Sequence, residues 1–349
     1  MGSDSTWTVS RVDDEAYAAA LAAADVDPPI EQSLAWHAVV EADPQRRDLG
    51  RYLISSGGRP RAAATVTRLV THRVPFLWVR HGPVWFTTPD AHEEAAAVAA
   101  LCEALHEADP QAIHVRMDVR ADVPGAQPPT GMITYDHTVV IDTAVPGASS
   151  MSEEDVTQTV LSRFKSRGRR DVRKAVRESG LECADETQRA AEDFSEYHAL
   201  MSETADRDGF VPWPVSFYQE MVTGLGPRHC RVFAGREDGV LVCWSIVTIS
   251  GAGAARYYAA SATSMMRRRV SDRLVLFECV DLARRGITAY DLMGIGSQIA
   301  PELNGLNEFK TKFSTEITEV APAREFVLRP MAYKAFRSAR AALEGIRGE

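Results

Sequence analysis

The chain of 349 residues is 45% hydrophobic and 25% charged and carries a formal net charge of −9 at pH 7. That is the make-up of an ordinary globular protein long enough for two cores, and its acidity excludes a protein coated in nucleic acid over its whole surface. The N-terminus is polar and the longest apolar run, 240–249, is too short to span a bilayer, so no secretory signal or transmembrane segment is read and a cytoplasmic location is expected. Five cysteines (Cys102, Cys183, Cys230, Cys243, Cys279) show no metal-ligand spacing, so reduced thiols and no metal site are expected.

In chain order, 51–56 reads as a strand, Gly57-Gly58-Arg59-Pro60 as a turn, and 62–71 and 75–81 as two further strands. A helix over 92–108 places Val98, Leu101, Cys102 and Leu105 at helical spacing, and strand 113–119 follows. The Pro/Gly/Ser-rich stretch 145–152 reads as the domain boundary, giving a first domain over 1–148 and a second over 149–324. The second domain repeats the order: strand 230–234, turn 235–239, strands 240–250 and 254–261, helix 271–285, strand 288–293. A last helix over 332–346, within the segment 325–349, is expected to pack back on the first domain.

Between Arg163 and Arg177 eight basic residues meet a single acid, Asp171. A positive patch on an acidic body can recruit a polyanion without binding it everywhere. Arg163, Lys165, Arg169, Arg170, Arg173 and Lys174 are the candidate contacts to an RNA acceptor stem, against the plain alternative of a solvated helix face.

Mixed sheets in this element order resemble GNAT-type acyltransferases, which implies an α/β fold (α+β mixed sheets) of two GNAT-like domains in tandem. Acyl-CoA-dependent members of that class bind pyrophosphate at a glycine-rich loop opening the main helix. The matching stretches here, 263–271 and 86–92, contain no glycine.

The chain also resembles the FemABX family of aminoacyl-tRNA-dependent peptide-bond-forming enzymes, in the compact form without a coiled-coil arm. The segments that carry the resemblance are the basic run 166–180, Glu203-Thr-Ala-Asp-Arg-Asp-Gly-Phe210, 214–221, Tyr258-Ala-Ala-Ser261, 289–295 and Leu306-Asn-Glu-Phe-Lys310, all in family order. The resemblance implies transfer of an amino acid from aminoacyl-tRNA, as co-substrate, to an amine of a peptide-like acceptor (a muropeptide precursor or a peptide antibiotic intermediate), with no dissociable cofactor. It implies that Lys310 stabilises charge in catalysis and that Phe309 holds the terminal adenosine. The plain alternative there is an amphipathic strand with Phe309 and Phe313 buried. Arg207 is implied to hold an anionic acceptor group, against an intrahelical pair with Glu203. Tyr258 and Trp36 are further substrate-binding candidates. Asp118, read as a carboxylate at a sheet edge facing a cleft, is a candidate to orient or deprotonate the amine. Val40 stands where the family has a lysine on the acceptor's phosphates, and Val270 where a proline commonly opens the main helix. Two rival classes remain beside this reading: an acyl-CoA-dependent N-acyltransferase, and a non-catalytic tRNA- or peptide-binding module.

Overall fold

The structure, a computed structural model, describes residues 6–71 and 73–347. The chain divides into two compact units, 1–134 with 320–349, and 135–319.

The first unit opens with β1 (Trp7–Val12), α1 (Asp14–Ala23) and the short α2 (His37–Glu41). β2 (Arg46–Ser56) and β3 (Arg59–Thr71) form a hairpin whose turn glycines, Gly57 and Gly58, both take positive φ, the conformation a two-residue turn between twisted strands requires. β4 (Val74–Val79) extends the meander and the two-residue β5 (Val84–Trp85) pairs with β3. α3 (Ala91–Ala108) starts at a capping box formed by Asp90 and Glu93. β6 (His114–Asp118) then pairs parallel to β4. Val98, Leu101 and Leu105 of α3 are buried with Leu77 and Val115 in this unit's core.

The second unit comprises β7 (His137–Asp142), α4 (Glu153–Arg163), α5 (Ser166–Glu178), β8 (Glu182–Asp185), α6 (Thr187–Glu192), α7 (Ser195–Asp208) and α8 (Val215–His229). It continues with β9 (Cys230–Glu237), β10 (Val240–Ser250), β11 (Gly253–Ser261), α9 (Val270–Arg284), β12 (Ala289–Gly294), α10 (Asn304–Lys310) and β13 (Thr318–Glu319). The chain then returns to the first unit as β14 (Ala323–Val327) and α11 (Pro330–Arg347).

The strand orders are β1-β2-β3-β4-β6-β14, with β5 on β3, and β13-β7-β12-β11-β10-β9-β8. Each sheet is antiparallel except at one junction, β4 with β6 and β11 with β12. At each junction the connecting segment carries a long helix, α3 or α9, as a parallel crossover demands.

Three sequence expectations change. The boundary falls at 134/135, not near 148, because 137–142 is a strand paired antiparallel to β12; the stretch 145–152 is only the loop leading to α4. At the other end the second unit stops at 319, and Ala323 already pairs with Asp118 of β6. β6 is therefore an interior strand between β4 and β14, and Asp118 does not sit at a sheet edge.

The second core is built on Trp244, fully buried and ringed by Phe194, Tyr197 and Tyr218 at centroid distances of 5.2, 6.2 and 6.3 Å. Its indole N–H donates to the Tyr197 carbonyl at 2.8 Å, which satisfies the one polar atom such burial would strand. Within the apolar face of α9 lies Glu278, 0% exposed. It accepts from Ser245 Oγ at 2.5 Å, Tyr290 Oη at 2.6 Å and Arg256 Nε at 3.1 Å. This one carboxylate ties α9 to β10, β11 and β12. Removing it would leave the Arg256 guanidinium buried without its counter-charge. Glu278→Ala is therefore expected to lower stability by about 3–5 kcal/mol, read from the urea midpoint; a loss within error of wild type would show that Arg256 relaxes to solvent.

Candidate functional site

The site forms where the two parallel strands of the second unit part. β11 pairs with β12 only over 253–255 with 289–291, although β11 runs on to Ser261. Beyond Asp291, β12 shifts register against β7 by one extra residue, and Met293 sits at a φ of +65°. A non-glycine residue there costs roughly 1–3 kcal/mol unless its surroundings hold it. Asp291 does so: its carboxylate accepts from the Met293 N–H at 2.7 Å and from the Thr138 hydroxyl. The bulge turns two carbonyls toward Lys310, whose Nζ donates to Met293 O at 3.1 Å and Gly294 O at 2.8 Å. An ammonium has three donors, so one N–H is left for a ligand. Burial pulls the Lys310 amine down to about 8, against the opposing pull of Asp291.

Residues 304–310 are a helix, not a strand, and it is stitched to the loop after β12. Asn307 accepts from Gly296 N–H at 2.7 Å and donates to Gly296 O at 3.1 Å, a side-chain imitation of strand pairing. Phe309 is half-buried, edge-on to Phe313 at 5.3 Å, with the Lys312 ammonium 5.0 Å from its ring centre.

The same segment is welded to the basic helix α5. Lys165 N–H donates to Lys312 O at 3.1 Å, and a Cβ at Gly168 would collide with that carbonyl oxygen. Lys312 is buried and pairs with Asp272 in the first turn of α9; Asp171 of α5 pairs with Arg269 at 2.7 Å. Two side-chain ion pairs thus lie at the N-terminus of α9, and no residue from 263 to 271 is glycine.

The six basic candidates separate into three groups. Arg163 is spent on Asp142 and the Ala144 carbonyl, and Arg169 on the Phe164 carbonyl and Ser166. Lys165 is half-buried at the start of α5. Arg170, Arg173 and Lys174 are exposed, as is Arg177. The spacings 170, 173, 174 and 177 put these four on one face, opposite the buried Gly168, Asp171, Val172 and Ala175. The charges do not spread around the helix, as the density of basic residues suggests; Gly168 and Asp171 are the sequence marks of its inner face.

Arg207 does not pair with Glu203. Its guanidinium makes four hydrogen bonds, two to Asp208, one to Ser261 O at 2.9 Å and one to Thr263 Oγ1 at 3.2 Å, while Glu203 accepts from Thr263 N–H. It ties α7 to the end of β11 and has little left for an anionic ligand. Tyr258 is half-buried on β11, 5.1 Å from Tyr218 and from Tyr257.

Asp118 and Trp36 belong to the first unit. The Asp118 carboxylate lies 3.1 Å from His81 Nδ1, and Glu31 lies 3.5 Å from the other ring nitrogen. Burial alone would pull the imidazole down; the Glu31 and Asp118 carboxylates overcome it and push it up to about 9. At neutral pH Asp118 therefore faces an imidazolium, a poor arrangement for a free base. Trp36 is buried in the wall of a small cleft with Glu31, Val40, Arg46, Trp78 and Arg80. Val40 does line that cleft, and its cations are bound to neighbours: Arg80 to Glu31 at 3.3 Å and Arg46 to Asp43 at 2.9 Å.

In the sequence Asp291 reads as the cap of a turn and Glu278 as a residue of the main helix with no particular role; the structure gives Asp291 its turn contact to Met293 and adds partners to both. Glu278 is the lone acid in the apolar run 274–280, which signals a buried partner; the contacts of Asp291 with Thr138 and Lys310 come from residues distant in the chain. Among the described residues no group of three or more His, Cys, Asp or Glu side chains is placed to hold a metal, and no helix is long and apolar enough to cross a membrane.

A model of the acetyltransferase (GNAT) domain matches residues 162–311. Comparison of the sequence with curated proteins gives no match. Among solved structures, FemX is similar with a TM-score of 0.70 at 14% identity over 94% of this chain and 99% of that one. A tandem GNAT protein from the clavulanic acid biosynthesis pathway is similar with a TM-score of 0.53 at 14% identity, covering 91% and 98%. The C-terminal domain of a putative lysylphosphatidylglycerol synthetase from Agrobacterium fabrum gives 0.50 at 14% identity, covering 94% and 96%. The chain has a mixed α/β fold of two GNAT-like domains in tandem, FemX-like in structure.

Because the folded pKa of Lys310 lies below the ordinary value of 10.5, its burial costs stability below about pH 8, and that cost is relieved as pH rises toward 10.5. Competitive labelling with acetic anhydride, read by mass spectrometry, is expected to show Lys310 titrating near 8. Asp291→Asn keeps an acceptor for Met293 but removes the nearby negative charge, so the midpoint should fall further. An unchanged midpoint in the variant would refute the coupling.

Proposed function

We propose that the chain transfers an aminoacyl group from aminoacyl-tRNA to an amine of a peptide-like acceptor. The observation that carries this reading is Lys310, fixed by two backbone carbonyls where β11 and β12 part, with one N–H to spare. The acceptor nitrogen attacks the ester carbonyl, the C–O bond to the terminal ribose breaks, and the amine proton ends on the released ribose hydroxyl. Ester becomes amide with no further reactant. The remaining Lys310 N–H meets the oxygen as it gains charge; donors aimed at such an oxyanion are worth about 10²–10³ in rate. Phe309 holds the terminal adenosine.

The solvent stripe Arg170, Arg173, Lys174 and Arg177 supports tRNA contact, since it lies on the helix whose inner face is welded to the segment following Lys310. An acyl-CoA donor is disfavoured because the stretch opening α9, where pyrophosphate would need open backbone N–H groups, has no glycine and is flanked by the buried carboxylates of Asp171 and Asp272.

A pool of tRNAs charged with radiolabelled amino acids, offered with a muropeptide precursor or small peptides, is expected to give amide product that RNase pretreatment abolishes. Product that survives RNase or needs acyl-CoA would overturn the tRNA donor; tRNA binding with no product across the panel would support a binding module. Lys310→Ala is expected to lower turnover about 100-fold with tRNA affinity kept. Arg173→Ala with Lys174→Ala should weaken tRNA binding and reduce the slope of log affinity against log salt by about 0.7–0.9 per lost phosphate contact, with Arg163→Ala acting on stability instead.

A further inference from the structure

The loop between α7 and α8 exposes an apolar ledge: Phe210 is 46%, Val211 92% and Trp213 48% exposed. Large apolar side chains grouped on a surface mark a binding site more often than isolated ones do. The loop is built, not slack. Gly209 closes α7 in the left-handed conformation, the Trp213 carbonyl accepts from His198 Nε2 at 2.9 Å, and its N–H donates to Tyr218 Oη at 3.3 Å. Rings then lead inward without a break, from Trp213 to Phe217 at 5.1 Å and from Phe217 to Tyr258 at 6.3 Å. Tyr258 stands on β11, two residues past Arg256, along the part of that strand that has left β12.

Charge limits what can lie there. Glu203, Asp206 and Asp208 are exposed along the last turns of α7, and the one cation among them, Arg207, is bound to Asp208 and β11. A phosphate-bearing ligand would meet the acidic last turns of α7, whereas an amine, protonated before it reacts, would be drawn to them.

We propose that this ledge binds the acceptor, and that the acceptor is a short peptide or amine carrying an aromatic or large aliphatic group beside its nucleophilic nitrogen and no phosphate. The inference deepens the transfer reading above and rests on it. Rigid aromatic surfaces bind such groups at little entropic cost because they are already ordered.

Calorimetry on the full chain with phenylalanyl-phenylalanine amide, glycylglycine amide and UDP tests the idea without needing turnover. The aromatic peptide is expected to bind at least about tenfold tighter than the glycine one. Val211→Asp, at a position 92% exposed, and Trp213→Ala, which removes the ring packed on Phe217, should each abolish that preference and leave tRNA binding unchanged. Equal binding of the two peptides, a preference that persists in both variants, or displacement of the peptide by UDP would overturn the proposal. Running the same peptides in the transfer assay separates the two readings. A ledge-dependent binding preference without transfer from aminoacyl-tRNA removes the donor reading and keeps the ledge; transfer to the glycine peptide, equal in wild type and variants, removes the ledge and keeps the donor.

Discussion

Backbone carbonyls that leave a sheet must find donors, and in the second unit that requirement places the candidate catalytic lysine. The parallel pairing of β11 with β12 ends after three residue pairs, and the bulge that follows frees the carbonyls of Met293 and Gly294. Lys310 answers both. A buried ammonium is costly unless dipoles or counter-charges surround it, and here two carbonyl dipoles and the charge of Asp291 supply the compensation in part. The remaining desolvation is what pulls its pKa down to about 8. Asp291 thus acts twice, holding Met293 in its left-handed conformation and opposing the loss of charge on Lys310.

Buried ion pairs carry that geometry outward. Asp272 and Lys312, with Asp171 and Arg269, lock the start of α9, the inner face of α5 and the segment after α10 to one another. Such pairs add little net stability over a well-packed apolar contact, but breaking one half is expensive. They therefore favour one arrangement of the three segments, the one that leaves the α5 stripe in solvent. Glu278 does the same for α9 against three strands. In the first unit Glu325 is the counterpart: fully buried, it accepts from Arg116, the Thr130 N–H and Tyr333 Oη, which fastens β14 and α11 to β6 and its neighbours. Each unit thus has a fully buried carboxylate that ties several of its elements together.

The two units share a strand plan and diverge at the functional end. In the first, the parallel pair is followed by a hydrogen bond from Asp118 N–H to Gly82 O at 2.9 Å, and the Asp118 carboxylate is engaged by His81. The junction is closed. In the second the strands part and a lysine enters. One topology therefore gives a candidate site in one unit and a filled junction in the other, through a single extra residue in β12 and the helix that follows it.

The repeat of elements was legible in the sequence because hydrophobic period and turn glycines are local: strand 240–250 and the α3 and α9 helices lie within a residue or two of their expected bounds. The basic run stood out by its charge, whereas Lys310 and Phe309 were singled out by the resemblance to the FemABX family and not by any local pattern. Tertiary structure alone decided what depends on distant partners. It assigned 137–142 to the second sheet and 323–327 to the first, because an edge strand is defined by its neighbour rather than by its own pattern. It separated Arg163 and Arg169, used on local carbonyls, from Arg170, Arg173 and Lys174 in solvent, although all five look alike in sequence. It bound Arg207 to β11 and Asp118 to His81, and it gave Asp291 its role. A charge's function is fixed by what compensates it, and those compensating groups lie up to about a hundred residues or more away in the chain, beyond the reach of any local pattern.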